Sequence, residues 1–248
     1  GAGALRRQSR LLSHRFPRAD RAAGARGTAA CRLALHGQCG VGLFGRRQGA
    51  DLITVTQELM RAHGIKCAIY PMTNKPHPTR IQSGSDIYEF QEWFVGQRAQ
   101  PRVDQIIFPS GGYANDQVIE AISAADLIVL TPSNPYLSID PMLSLSNLSD
   151  AWDQRQCLCI AVSPIVGRQA VKGPLAQLIK QLANQPASAD AVANHYGDKV
   201  DGWVIQEGDT LSTSTPVLET QTLMTTPERR KNLARAILDW AQTLGFGA

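Results

Sequence analysis

From Asp51 onward the apolar positions of the chain follow two alternating periods. Leu52, Val55, Leu59 and Ala62 keep the 3, 4, 3 spacing of an amphipathic helix, which Gly64 can end. Residues 67–70 read as a short strand stopped by Pro71. Residues 79–82 and 87–95 read as extended segments around a Ser83-Gly84-Ser85 turn, the second also compatible with a helix. Residues 103–108 predict a strand, and 116–124 a helix with Val118, Ile119 and Ile122 inward. Residues 127–130 and 157–162 are unbroken apolar runs, the pattern of parallel strands buried on both faces. Residues 173–182 predict a helix, 203–205 and 217–223 two strands. Leu233, Ala234, Ile237, Leu238 and Ala241 give a last helix its apolar stripe. Thr225-Thr226-Pro227-Glu228 offers it a cap, a first-turn proline and a capping box, and Gly245 can close it.

Strands alternating with helices predict an α/β, Rossmann-like fold: a mostly parallel sheet with helices on both faces. Ligands of such folds sit at the carboxyl ends of the strands. Two loops lie there. The first, after residue 130, runs Thr131-Pro132-Ser133-Asn134-Pro135-Tyr136-Leu137-Ser138-Ile139-Asp140-Pro141. Its prolines hold the backbone extended. Ser133, Asn134 and Ser138 are short polar groups with little entropy to lose, and Asp140 is placed to cap a helix begun by Pro141. A polar loop before a helix suits an anion; the alternative is a turn that only caps the helix.

The second loop, after residue 162, runs Ser163-Pro164-Ile165-Val166-Gly167-Arg168-Gln169-Ala170-Val171-Lys172-Gly173-Pro174. Lys172 and Arg168 are candidates for phosphate oxygens, and Gly167 and Gly173 permit close backbone approach. The alternative is a solvated basic loop. Together the two loops suggest a phosphorylated ligand, a nucleotide above all. Glu207 and Asp209, after the strand at 203–205, are weak candidates for Mg²⁺ against a plain acidic turn. His195 is read as a packing or capping group ahead of an acid or base, and His63 and His77 show no partner in the sequence.

Charge divides the chain. Its net charge is +4 over 248 residues, with 43% hydrophobic and 19% charged residues, a globular composition. Residues 1–50 sum to +9, with ten arginines and no lysine, whereas the remainder sums to −5. The basic balance therefore belongs to the first fifth and says little for nucleic-acid binding, of which no motif is seen. Residues 1–49 are Arg/Ala/Gly-rich without apolar period, and three readings compete: a transit peptide, a disordered basic arm, or a frame-shifted or truncated segment. The last is the expectation favoured here. Gly40-Val41-Gly42 imitates a phosphate loop but follows no strand. The longest strictly apolar run has six residues, so no membrane span is expected. Five cysteines without repeated CxxC spacing indicate neither a disulfide framework nor zinc; Cys157 and Cys159 are read as buried thiols on one strand face.

The run Ala125-Asp126-Leu127-Ile128-Val129-Leu130-Thr131-Pro132-Ser133-Asn134-Pro135, then Ser138-Ile139, Ser163-Pro164-Ile165-Val166-Gly167 and Val171-Lys172-Gly173-Pro174, resembles the 2-phospho-L-lactate transferase family of coenzyme F420 biosynthesis. Pro71-Met72-Thr73, Phe90-Gln91-Glu92-Trp93-Phe94-Val95, His195-Tyr196 and Val204-Ile205-Gln206-Glu207-Gly208-Asp209 extend the resemblance in the family's order. It covers about residues 50–248: 50–75 as the end of a smaller helical part and 76–248 as the Rossmann-like core. The family's N-terminal motifs, a Gly-Gly-x-Gly-Gly loop and Thr-Gly-Asp-Asp, are not found, and its Gly-Asp-Arg-Asp helix entry is only faintly echoed by residues 32–36. Asp140 stands where the family usually has Gly, and Arg168 where a second Gly is usual.

The resemblance implies a transferase that moves a phospholactyl, phosphoenolpyruvyl or phosphoglyceryl group from a guanosine diphosphate ester to a hydroxyl of the deazaflavin Fo, releasing GMP. It implies Mg²⁺, nucleotide contacts at Ser133, Asn134, Pro135, Ser138, Ser163, Gly167 and Gly173, and catalytic charge compensation by Lys172. No nucleic acid or membrane partner and a cytoplasmic location are expected, with homodimer formation left open. Two alternatives are an inactive fragment of the transferase and a nucleotide-sugar-binding regulator of the gluconeogenesis-factor type. The Pro132-Ser133-Asn134-Pro135 stretch favours the transferase over that regulator, which tends to have Gly-Ser there. A nicotinamide-dependent dehydrogenase is disfavoured because no Gly-x-Gly-x-x-Gly follows a strand.

Overall fold

The computed structural model describes residues 49–171 and 173–245. The Gly40-Val41-Gly42 motif and Lys172 lie outside the described residues. Helix α1 (Leu52–Ala62) is capped by Asp51, whose carboxylate accepts from the Thr54 amide, and Gly64 ends it in a left-handed turn. Its buried residues are Ile53 and Val55, so the inward face is turned from the predicted one and Ala62 is exposed. Residues 67–70 do not form a strand. No strand of the described residues pairs with this segment, and Pro71 stops it at once.

Strands β1 (Arg80–Ser83) and β2 (Asp86–Glu89) make a hairpin about Gly84, and β3 (Gln105–Ile107) pairs antiparallel on the other edge of β1. The predicted second extended segment is therefore shorter. Its end, Glu92–Gly96, is a helical turn that buries Trp93.

The main sheet is parallel. Its strands β4 (Leu127–Leu130), β5 (Leu158–Val162), β8 (Gly202–Gln206) and β9 (Val217–Thr220) stand in the order β4-β5-β8-β9. Between β5 and β8 in sequence lies a two-residue ladder of β6 (Ile165–Val166) with β7 (Gln169–Ala170). Helix α2 (Asp116–Ser123) precedes β4. After β4 come a π-helical turn (Pro135–Ile139), α3 (Asp140–Leu143) and α4 (Ser146–Asp153). Helices α5 (Leu175–Leu178) and α6 (Ala189–Tyr196) follow β7, and α7 (Pro227–Thr243) ends the described chain.

Alternation along the strands sends side chains to two covers. Cys159, Ala161 and Trp203 meet Val118, Leu148, Trp152, Val192 and Tyr196 on one face, while Ile160, Val162 and Val204 meet Leu233, Ile237 and Ala241 of α7 on the other. The α/β prediction thus holds, with helices on both faces. β5 and β8 are buried, but β4 is not covered on both faces as expected. Among the described residues it is an edge strand, and Val129 is 37% exposed. On α7 the stripe narrows to Leu233, Ile237 and Ala241, leaving Ala234 and Leu238 outside. Thr226 caps that helix by accepting from the Arg229 amide, so the predicted capping box does not form: Glu228 is one position too early.

Cys157 precedes β5 and is half-buried, whereas Cys159 is buried within it; burial pushes the Cys159 thiol up to about 12. Since the thiolate is the nucleophile, alkylation of the native protein at pH 8 is expected to label exposed Cys67 and spare Cys159. Peptide mass spectrometry reads this, and equal labelling of both would contradict the burial.

Candidate functional site

Parallel pairing aligns the strand ends. Leu130 of β4 stands opposite Ala161 of β5, and Val162 opposite Val204 of β8. The loops after β4, β5 and β8 therefore leave the sheet side by side, as the crevice rule for open α/β sheets requires.

The first loop is tightly built. Asn134 caps the π-helical turn: its Oδ1 accepts from the Leu137 amide at 3.3 Å, and its carbonyl accepts from the Ser138 amide at 2.8 Å. Pro135 and Tyr136 are buried beneath it. Among the described residues the Asn134 Nδ2 is shut off from solvent and has no hydrogen-bond partner. An unpaired buried donor costs about 1–3 kcal/mol, which makes Asn134 a candidate to meet an acceptor. Ser133 is half-buried and shares a 3.3 Å contact with the Thr131 hydroxyl. Ser138 is half-buried on the same turn.

The second loop divides its candidates. Ser163 is 1% exposed, and its hydroxyl both donates to the Ile165 carbonyl and accepts from the Ile165 amide. That hydroxyl is spent within the turn. Gly167 and Arg168 form the tip of the β6–β7 hairpin, both left-handed at φ 56° and 63°. Glycine takes such a turn without strain, whereas Arg168 does so at a steric cost. Gly173, at φ 70°, is exposed before α5. An open cavity of about 410 Å³ lies beside it, lined by Phe94, Arg98, Ala99, Gly173, Pro174 and Gln177.

The third loop locks the second. Both Asp209 carboxylate oxygens accept from the Gly167 amide, at 3.0 and 3.2 Å. Glu207 accepts from Gln221. Both weak metal candidates thus have protein partners, and no group of three or more His, Cys, Asp or Glu suited to a cation occurs among the described residues.

Other contacts were not legible in the sequence. Asp140 does not cap α3; it is the first helical residue, and its carboxylate meets His195 Nε2 at 2.9 Å. His77 is also partnered: its Nε2 lies 2.7 Å from the Ser144 hydroxyl, which donates to the Pro141 carbonyl. Burial holds the His77 imidazole below its ordinary pKa. His63 Nδ1 contacts the Leu59 carbonyl. The only signal for the Asp140 pairing was a carboxylate where the resembled family has Gly.

The model of the 2-phospho-L-lactate transferase CofD family matches residues 6–236. The chain belongs to that family. Curated relatives named 2-phospho-L-lactate transferase agree. That of Methanospirillum hungatei is 34% identical over 194 residues, covering 77% of this chain and 64% of its own length. That of Halobacterium salinarum is 34% identical, covering 77% and 56%. The chain therefore spans less than two thirds of these CofD relatives. Among solved structures, a UPF0052 family member from Bacillus halodurans superposes with TM-score 0.54 at 14% identity, covering 79% of this chain and 69% of that one. This supports the Rossmann-like fold of the CofD chain. Among the described residues no helix is long and apolar enough to cross a membrane.

Proposed function

We propose that this CofD chain moves a phospholactyl group, or its phosphoenolpyruvyl or phosphoglyceryl counterpart, from a guanosine diphosphate ester to the ribityl hydroxyl of Fo. The hydroxyl oxygen forms a bond to the phosphorus bearing the organic acid and gives up its proton to solvent, the bond from that phosphorus to the bridging oxygen breaks, and GMP leaves with the electron pair. Such transfers need alignment and charge compensation more than covalent help. The single observation that carries the reading is the desolvated, partnerless Asn134 Nδ2 in a proline-braced loop at a parallel strand end. Ser133, Asn134, Pro135 and Ser138 hold the diphosphate from one side; Gly173 lets backbone approach from the other; Ser163 and Gly167, whose amide Asp209 already holds, shape the second loop. Lys172 offsets the charge that develops on the phosphorus oxygens, a role of the kind preorganised donors play. Mg²⁺ is part of the proposal as countercharge to the diphosphate, held chiefly by the phosphate oxygens, since no group of three or more His, Cys, Asp or Glu suited to a cation occurs among the described residues.

Calorimetry with GDP and Mg²⁺ tests the reading. A saturable heat of association is expected. No heat, with the protein shown to be folded by circular dichroism, would overturn it.

A further inference from the structure

We propose that His195 is a positioning residue for the diphosphate loop: it draws the Asp140 carboxylate away from the anion and ties the loop to helix α6. This rests on the nucleotide reading of that loop. Asp140 lies two residues beyond Ser138, so a free carboxylate there would repel the phosphate the loop is built to accept. It is not free. His195 Nε2 lies 2.9 Å from Asp140 Oδ1, with the two side chains 21% and 26% exposed. The imidazole also packs 4.3 Å from the ring of Tyr136, which is buried inside the turn.

α6 is a firm anchor. Ser188 caps its start by accepting from the Ala191 amide, and buried Tyr196 packs 5.8 Å from the Trp203 ring in β8. Contacts therefore run without a gap from the centre of the sheet to the loop, through Trp203, Tyr196 and His195 to Asp140 and Tyr136. Asp140 and His195 answer each other: the carboxylate just beyond the loop meets an imidazole nitrogen 55 residues later in the chain.

The test is a double-mutant cycle read by GDP–Mg²⁺ titration. His195→Ala is expected to weaken GDP about tenfold or more, because it frees the carboxylate. Asp140→Asn should stay within about threefold of wild type, and the double variant should return to about that level. A double variant as weak as His195→Ala alone would overturn the proposal, since a purely structural histidine gives that result. Hydrogen exchange in the nucleotide-free protein gives a second reading. The Leu137 and Ser138 amides should exchange about tenfold faster in His195→Ala and recover in His195→Gln, which keeps a donor. Unchanged exchange would also overturn the clamp. Failure of the wild type to take up GDP, with the exchange pattern as expected, would instead strike the transferase reading and leave the clamp standing.

Discussion

Asn134→Asp should weaken GDP binding by at least about 100-fold and also lower the melting temperature, because the new carboxylate oxygen stands out of water without a partner. The two residues are nearly isosteric. Asn134 Oδ1 holds the Leu137 amide, and a carboxylate oxygen accepts that bond equally well. Only the other terminal atom changes: a partnerless donor becomes a charged acceptor. If the donor meets a phosphate oxygen, the substitution removes a charge-assisted bond of about 1.5–3 kcal/mol and adds repulsion between like charges. Asn134→Ala is the milder comparison. It loses the donor without adding charge and gives up about 1 kcal/mol of cap energy. Titration calorimetry and thermal denaturation on the same preparations separate the two effects. Equal GDP affinity in wild type and Asn134→Asp would remove this atom from the site.

The largest stability effect is expected away from the site, at Asp201→Ala, with a loss of about 3 kcal/mol. The Asp201 Oδ2 accepts from Arg155 Nη2 at 2.9 Å and from the Cys159 amide at 2.8 Å, joining the entry of β5 to that of β8. The Arg155 side chain is only 9% exposed; its Nη1 donates to the Trp152 carbonyl and its Nε is already without a partner. Removing the carboxylate leaves a nearly buried cation uncompensated. Asp201 itself is 38% exposed, so water recovers part of the cost and the figure stays at the lower end of the range for broken buried pairs. For a chain of this size the loss corresponds to about 6–12 °C in Tm. Arg155→Met combined with Asp201→Ala should be less destabilised than Asp201→Ala alone, because the stranded charge is gone. Differential scanning calorimetry decides, and identical losses would mean the pair contributes packing only.

Elements with a strong local signal were readable from the chain. Leu158–Val162, unbroken and apolar, became the buried β5. Thr226 and Pro227 started α7, and Gly245 follows its end with positive φ. The two loops could be placed at strand ends because parallel strands joined through helices leave ligands nowhere else to converge. Residues 67–70 failed because a strand needs a neighbour as well as a pattern. Leu127–Leu130 was expected to be covered on both faces by the same rule that succeeded for β5, yet its edge is open among the described residues. The apolar run reports what a strand tolerates, not what lies beside it.

The site divides along the same line. Ser133, Asn134 and Ser138 are candidates by residue type and by the prolines around them. The pairing of Asp140 with His195, the spent hydroxyl of Ser163 and the Asp209 clasp on Gly167 were not legible that way. By itself the sequence determined the α/β class, several of its helices and strands and the placing of two loops at one end of the sheet, since periodicity, caps and turn residues act over a few positions. Only the tertiary structure decided which carboxylates were engaged, which donor remained without a partner and which strand stood at the edge. Those outcomes depend on groups far apart in the chain, brought within hydrogen-bond range by packing around the core.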